Sequence, residues 1–307
     1  MIHAEKLNKD FKSLHALNDL DLKVNQGDVY GFLGPNGSGK TTTIRLMLGL
    51  IRPSSGKVLL RGFNVHTKPD KALDKVGSIV ETPRFYSYLN GYQNLLLSGL
   101  LLPKFDPKEI KPLLDMVGLS SASKQKTSAY SLGMKQRLGL AMAMLNKPEI
   151  IILDEPTISL DPQGMKEVRD LIVRLNHEQG ITFFISTHLL YEVEQICNRV
   201  GILKKGVLVY EGKVDEIINP VEEIVEISTK DTEKAQQILS NIPFVQNTET
   251  KENCIQIRIP KGSSGEINSI FHQNAISLDY IIPRNPSLED FFLEITKGDA
   301  EGEKPNA

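Results

Sequence analysis

Eight consecutive residues near the start of the chain form a pattern that is typical of phosphate-binding loops. Residues 34–41 read GPNGSGKT, which satisfies GxxxxGK[ST] at every fixed position. Glycines let the backbone approach an anion and adopt positive φ, and successive N–H groups at a helix start bind the phosphates. We predict that Lys40 contacts the β and γ phosphates and that the Thr41 hydroxyl is a ligand of Mg²⁺. An ordinary glycine-rich turn before a helix is the alternative.

The predicted nucleotide-binding residues of this loop and of the first helical turn are Gly34, Pro35, Asn36, Gly37, Ser38, Gly39, Lys40, Thr41 and Thr42. A second group of polar residues follows two apolar runs later in the chain. Asp154 and Glu155 come directly after Ile150–Leu153, and His188 lies shortly after Ile181–Ile185. In open parallel sheets, ligands bind at the carboxyl ends of the strands.

We predict from this placement that Asp154 holds Mg²⁺ and that Glu155 orients or deprotonates the attacking water. His188 could polarise the γ-phosphate or hold that water. The alternatives are a polar strand terminus for the two acids and a structural role for the histidine.

The elements around these residues predict an α/β fold with a largely parallel sheet. Val29–Leu33 is a short apolar strand before the phosphate loop, and a helix over Lys40–Ile51 follows the loop. Ile150–Leu153 and Ile181–Ile185 are apolar throughout, as in strands buried on both faces. Period-two alternation before residue 25 predicts antiparallel strands at the start of the chain, and residues 84–146 are expected to be mostly helical.

The pattern changes near Pro220, which suggests a domain boundary after Asn219. Residues 1–219 would form the nucleotide-binding domain, 220–298 an α+β accessory domain and 299–307 a polar tail. The elements of the second domain follow the order βαββαβ, which is the ferredoxin-like arrangement. They are predicted at Glu222–Ser228, Thr232–Ser240, Phe244–Thr248, Cys254–Ile259, Ser264–Asn274 and Ser277–Ile282, with a final helix over Leu288–Thr296.

Composition excludes several other classes of protein. The formal net charge is −2 over 307 residues, so no nucleic-acid partner is expected. The two cysteines, Cys197 and Cys254, form no CxxC pair and predict neither a disulfide framework nor a zinc site. No uncharged apolar run reaches the roughly 20 residues that a membrane helix needs. We therefore expect a cytoplasmic protein that reaches the membrane through a partner.

The order of these motifs over residues 1–220 resembles that of the ABC ATPases. The deciding segment is 130–137, YSLGMKQR, which is similar to the family's LSGGQ signature followed by a basic stretch. The resemblance implies that Ser131 and the Gly133 backbone open a helix whose N-terminus meets the γ-phosphate bound by the other subunit. Leu132 and Met134 depart from the family's glycine and glutamine. A serine-capped helix without a ligand is the alternative.

The resemblance also implies roles for single residues. Phe11 lies where the family stacks an aromatic ring on adenine, although a place in the core is the alternative. Residues 159–161 look like the D-loop that crosses the dimer interface. Glu155 corresponds to the catalytic glutamate, and His188 corresponds to the switch histidine.

One position departs from the family in a way that affects the metal site. Glu81 stands where the family carries a glutamine that contacts Mg²⁺ and water. The segment Glu81–Pro83, followed by Phe85 and Tyr86, resembles the bacitracin and lantibiotic export and immunity branch. We expect Glu81 to lie beside Mg²⁺. In the alternative, it points outward and pairs with Arg84 or with a residue of the permease.

The resemblance therefore implies a motor subunit with ATP and Mg²⁺ as cofactors. Two copies would close head to tail on two ATP molecules and drive a separate membrane permease that exports a peptide antibiotic or drug. The chain would then be peripheral on the inner face of the cell membrane. A non-transport regulatory or mechanical ABC ATPase is the alternative, and a small-molecule kinase would have no use for the Ser131–Gly133 segment or His188.

Overall fold

A computed structural model describes residues 1–12, 14–251, 254–284 and 287–297. The chain divides into two compact units, residues 1–213 and 214–307. The boundary predicted after Asn219 lies just beyond a short helix, Val214–Ile218, that opens the second unit. In the described part of the chain, no helix is both long enough and apolar enough to cross a membrane.

The first unit alternates strands and helices along most of its length. Its elements in chain order are β1 (Ile2–Phe11), β2 (Leu14–Val24), β3 (Val29–Leu33), α1 (Lys40–Met47), β4 (Ser55–Leu60), β5 (Phe63–Asn64), α2 (Pro69–Ala72), β6 (Val76–Ile79), α3 (Gly91–Gly99), α4 (Ile110–Met116), α5 (Leu132–Met144), β7 (Ile150–Asp154), α6 (Pro162–Gln179), β8 (Thr182–Thr187), α7 (Leu190–Ile196), β9 (Arg199–Lys204) and β10 (Val207–Lys213).

The central sheet of this unit has the strand order β10-β9-β3-β8-β7-β6 among the described residues. Every neighbouring pair is parallel except the β9–β10 hairpin. All residues of β3, β7 and β8 are buried, as their continuous apolar runs predict. Because the strands are parallel, the residues that follow β3, β6, β7 and β8 lie along one edge of the sheet. The predicted α/β fold is confirmed.

A second, antiparallel sheet of order β2-β1-β4-β5 contains the first strands of the chain. Ile2 and Ala4 are buried two residues apart, as the period-two pattern of the sequence predicts, and a register shift between Ala4 and Leu7 accounts for the three-residue step to the buried Leu7. These residues share one apolar core with Ile152 and Phe184 of the central sheet.

The helical part of the unit shows where the sequence specifies helix ends. Asn90 and Gln93 form a capping box at the start of α3, and Ser131 caps α5 through its hydroxyl. The helix predicted over Lys40–Ile51 is shorter, because α1 ends at Met47 and Gly49 adopts a φ of +68° that a helix cannot continue.

The second unit contains the predicted βαββαβ order, preceded by α8 (Val214–Ile218). Its elements are β11 (Glu222–Thr229), α9 (Thr232–Leu239), β12 (Asn247–Lys251), β13 (Cys254–Pro260), α10 (Ser264–Gln273), β14 (Leu278–Arg284) and α11 (Leu288–Lys297). The antiparallel sheet has the order β12-β13-β11-β14, which is ferredoxin-like. Strand β12 begins later than the predicted Phe244, and the predicted tail 299–307 lies outside the described residues.

Candidate functional site

The loop between β3 and α1 has a backbone that requires glycine at particular positions. Gly37 and Gly39 have φ values of +79° and +112°, where side chains are disfavoured. A Cβ at Gly34 would lie 2.4 Å from the Leu203 carbonyl oxygen and 2.5 Å from Ser38 Oγ. The glycines of the motif are therefore explained by the shape of the loop, which turns tightly around the start of α1.

Lys40 and Ser38 bring polar atoms into the interior of this loop. Lys40 is 6% exposed, and its Nζ donates to the carbonyl oxygens of Gly34 at 2.7 Å and Pro35 at 3.2 Å. Ser38 is 2% exposed, and its Oγ has no hydrogen-bond partner among the described residues. A buried ammonium group and an unbonded hydroxyl at a helix N-terminus suit a multiply charged anion.

The other predicted residues of the loop lie around these two. Pro35, Asn36 and Gly37 are exposed, while Thr41 and Thr42 are partly buried in the first turn of α1. The loop is adjacent to the end of β8, because Leu33 pairs with Thr187 in the parallel register.

Asp154 ends β7 and is held by a residue that the sequence analysis missed. Asp154 is 5% exposed, and the Ser186 hydroxyl donates a hydrogen bond to its Oδ1. The two residues are direct partners in the β7–β8 register. Ser186 could have been identified only once the pairing of these two strands was known.

Glu155 occupies the centre of the site. It has a φ of +49°, and its N–H donates to the Ser186 carbonyl oxygen at 3.0 Å. Its Oε2 lies 2.8 Å from His188 Nδ1, and its Oε1 lies 3.6 Å from Lys40 Nζ. The structure therefore brings together three residues, Lys40, Glu155 and His188, that follow three different strands.

Glu81 lies at the rim of the site and has a partner that was not predicted. Its carboxylate accepts a hydrogen bond of 2.8 Å from Arg45 of α1, and the side chains are 63% and 44% exposed. No hydrogen bond or ion pair joins Glu81 to Thr41, Asp154 or Arg84 in the part of the chain that the structure describes. In this structure Glu81 is exposed and pairs with Arg45 and not with Arg84, while the metal contact and the alternative contact with a permease both stay predictions.

Phe11 is at the end of β1 and is 44% exposed, so the alternative of a place in the core does not apply. Lys9 Nζ lies 4.8 Å from the centroid of the Phe11 ring. An exposed ring that already attracts a cation has the geometry for stacking on a planar base.

Ser131 and Gly133 are at the start of α5, and their contacts are with residues outside the phosphate loop. Ser131 Oγ accepts from the Met134 N–H at 3.2 Å, which leaves it engaged as the N-cap of α5. A Cβ at Gly133 would meet only the Cα of Gly164, at 3.6 Å. Within the described residues, no hydrogen bond joins either residue to residues 34–42, so their contact with the γ-phosphate stays a prediction.

Comparison with known proteins agrees with this geometry. Residues 17–158 match the family model described as ABC transporter. The chain is 39% identical to the bacitracin transport ATP-binding protein BcrA of Bacillus licheniformis, over 98% of this chain and 99% of that protein. It is 37% identical to the lantibiotic transport ATP-binding protein SrtF of Streptococcus pyogenes, over 70% of this chain and 92% of that protein.

A solved structure shows the same fold over 69% of this chain. The dimeric ATP-binding cassette MJ0796, in a post-hydrolysis state bound to ADP and Pi, has a TM-score of 0.63 and 25% sequence identity. The match covers 69% of this chain and 98% of that structure. The phosphate loop, the acids after β7 and the full-length similarity lead to one conclusion. The chain belongs to the ABC transporter family as an ATP-binding subunit, and it is an ATPase.

Proposed function

We propose that two copies of this chain hydrolyse ATP head to tail and thereby drive a separate membrane permease that exports a peptide antibiotic. The observation that carries the proposal is the convergence of Lys40, Glu155 and His188, with Glu155 within 3.6 Å of both partners. Such a group can bind a terminal phosphate and activate a water molecule at the same place.

ATP binding uses the interior of the phosphate loop. Lys40 exchanges its bonds to the Gly34 and Pro35 carbonyl oxygens for the phosphate oxygens, which are the stronger acceptors for an ammonium group. The Ser38 hydroxyl and the amides of the loop donate to the same oxygens. Phe11 offers its exposed ring to the adenine.

Thr41 and Asp154 would hold Mg²⁺, and Glu81 would lie nearby. The residues fit, because an oxygen-rich pair of hydroxyl and carboxylate is the ligand chemistry that Mg²⁺ prefers, and Ser186 orients the buried Asp154. When bound there, the ion would supply positive charge that neutralises the charge developing on the transferred phosphate. The chain itself supplies the orientation of the ligands through the β7–β8 register.

Glu155 accepts the proton of the attacking water as phosphate transfer proceeds. Its bond to His188 fixes the orientation of the carboxylate, while Lys40 stabilises the negative charge on the other side. The partner subunit completes each site with its own α5 N-terminus, capped by Ser131 and followed by the Gly133 backbone. The description of MJ0796 as a dimer supports this arrangement.

The proposed cargo rests on the relatives. The bacitracin transport relative covers 98% of this chain, and the lantibiotic relative covers 70% of it. A peptide antibiotic is the chemistry that these two names share. The chain would act at the inner face of the cell membrane, where its permease would hold it.

The test is Glu155→Gln, with Glu178→Gln at an exposed position of α6 as the control. The Glu155→Gln change should lower kcat by about 10²–10⁴-fold, as loss of a general base does. ATP affinity should be unchanged, and trapped ATP should hold two subunits together in size-exclusion chromatography. Host cells carrying the Glu155→Gln form should also become more sensitive to bacitracin or to a lantibiotic. A near-normal rate or a monomer at saturating ATP would refute the hydrolysis mechanism.

A further inference from the structure

The loop that carries Glu155 is anchored by an acid on a different element. We propose that Glu192 of α7 is a positioning residue for Glu155, acting through Thr157 to fix the loop after β7 against α6 and α7. The inference rests on the proposed role of Glu155 as general base. It assigns to Glu192 a task that neither ATP binding nor the metal site requires.

The anchor is a cluster of three side chains, of which Thr157 on the loop after β7 and Glu192 of α7 are buried and Arg169 of α6 is partly buried. The Thr157 hydroxyl, 2% exposed, donates a short hydrogen bond to Glu192 Oε2. Arg169 of α6 places its Nη1 3.9 Å from Glu192 Oε1. Glu192 is 5% exposed, and its Oε1 has no hydrogen-bond partner among the described residues. Among the described residues, the Thr157 hydroxyl is therefore the hydrogen-bond donor through which this carboxylate can hold the loop.

The loop needs such an anchor because its backbone is unfavourable. Glu155 and Ser159 both adopt left-handed φ values, +49° and +63°, that residues with a Cβ avoid. Conformations of this kind persist only where the surroundings impose them. Ser186 holds the start of the loop through the Glu155 N–H, and Asp161 holds its end by capping α6. Thr157 and Glu192 hold the middle.

The same anchor also controls the partner of Glu155. His188 lies two residues before α7, and Glu192 is in the first turn of that helix. A bond from Glu192 to Thr157 therefore links the segment that carries Glu155 to the segment that carries His188. The 2.8 Å contact between Glu155 Oε2 and His188 Nδ1 depends on both segments keeping their places. Displacement of a catalytic group by about 1 Å can lower a rate by about 100-fold.

Burial makes an ionised acid unfavourable at this place. Burial raises the pKa of Glu192, the Thr157 bond and Arg169 lower it, Glu155 raises it and His188 lowers it. At Cys197, which directly follows α7, burial and then the charge of Glu192 raise the pKa of the thiol. An apolar side chain would avoid the desolvation cost. Core stability therefore does not explain the acid, whereas its bond to Thr157 does.

The test replaces Thr157 by valine, which has the same shape but no hydroxyl. In the full-length chain, Thr157→Val should lower kcat by about 10- to 100-fold. The affinity for ATP should change by less than about twofold, because no binding group is removed. Thr157→Ser should restore most of kcat. The control is Thr182→Val. Thr182 is the first residue of β8, at the end of the strand away from His188, and its buried hydroxyl accepts a hydrogen bond of 2.9 Å from the Gly27 N–H.

A double variant separates this inference from the proposed function. Added to a Glu155→Gln chain, Thr157→Val should cause no further loss of the single-turnover rate, because both changes act on the same catalytic group. If Glu155→Gln hydrolyses ATP normally, the proposed function fails. If Glu155→Gln is inactive while Thr157→Val keeps its rate, the positioning role alone fails. It also fails if serine is no better than valine or if ATP affinity falls in parallel with kcat.

A second variant covers the case in which the valine chain does not fold. Glu192→Asp shortens the acid by one methylene and withdraws the acceptor from Thr157. It should lower kcat by at least about 10-fold with ATP affinity unchanged. A wild-type kcat in the folded Glu192→Asp chain would overturn the inference.

Discussion

Glu81 offers the most informative perturbation, because a carboxylate replaces the neutral amide of the family and has a partner in Arg45. If the carboxylate lies about 6 Å from a phosphate charge, the repulsion is roughly 3 kcal/mol at an effective dielectric constant near 20. Arg45 Nη2 lies 2.8 Å from Glu81 Oε1, and we expect its opposite charge to offset most of this repulsion. The pair itself contributes about 0.2–1 kcal/mol, since its side chains are 44% and 63% exposed.

The expected net effect of Glu81→Gln is therefore about 1 kcal/mol on metal-free ATP. This corresponds to binding that is roughly fivefold tighter in the absence of Mg²⁺. Binding of Mg-ATP should change by less than about twofold, because the lost attraction between the carboxylate and Mg²⁺ offsets the relieved repulsion between the carboxylate and the phosphates. Arg45→Gln should act in the opposite direction and weaken metal-free binding, since it removes the cation that neutralises Glu81.

The assay is calorimetric titration of ATP into the wild-type chain and both variants, with Mg²⁺ and with a chelator. Equal metal dependence in the wild-type and Glu81→Gln chains would refute the reasoning and place Glu81 outside the metal site. If Glu81→Gln also tightens ATP binding in the presence of Mg²⁺, then Glu81 repels the nucleotide without contacting the ion.

Three further variants test the loop and the buried acid. Gly37→Ala should cost only about 1–2 kcal/mol of stability, because its left-handed backbone faces open space. Gly34→Ala should abolish ATP binding, because its Cβ would lie 2.4 Å from the Leu203 carbonyl oxygen. Thermal unfolding measures the stability of both glycine variants, and ATP titration measures their affinity for ATP. Equal losses of stability and of ATP affinity in the two variants would contradict this prediction. Burial raises the pKa of Glu192 above its ordinary value of 4.5, so the wild type loses stability relative to Glu192→Gln as pH rises from 4.5 through the raised value. Melting temperatures at several pH values measure this difference, and a difference that is constant from about pH 4 to about pH 8 would refute it.

Local patterns were sufficient to predict much of the molecule. The phosphate loop, the buried strands and the ferredoxin-like order of the second unit follow from residue types at short spacing. Gly37 and Gly39 are required by their backbone angles, and Ser131 caps a helix as its position predicts. Element ends were less accurate, as for α1, because one left-handed glycine stops a helix that the apolar pattern would continue.

The contacts that define the site depend instead on strand order and register. Four contacting pairs are separated by 32 to 36 residues in the sequence: Asp154 with Ser186, Glu155 with His188, Thr157 with Glu192, and Arg45 with Glu81. Periodicity indicates which residues are buried, but it does not specify which strands are neighbours. The placement of β8 between β3 and β7 brings His188, Lys40 and Glu155 to one edge. Packing of the whole sheet therefore selects these partners, and no short segment of the chain contains that information.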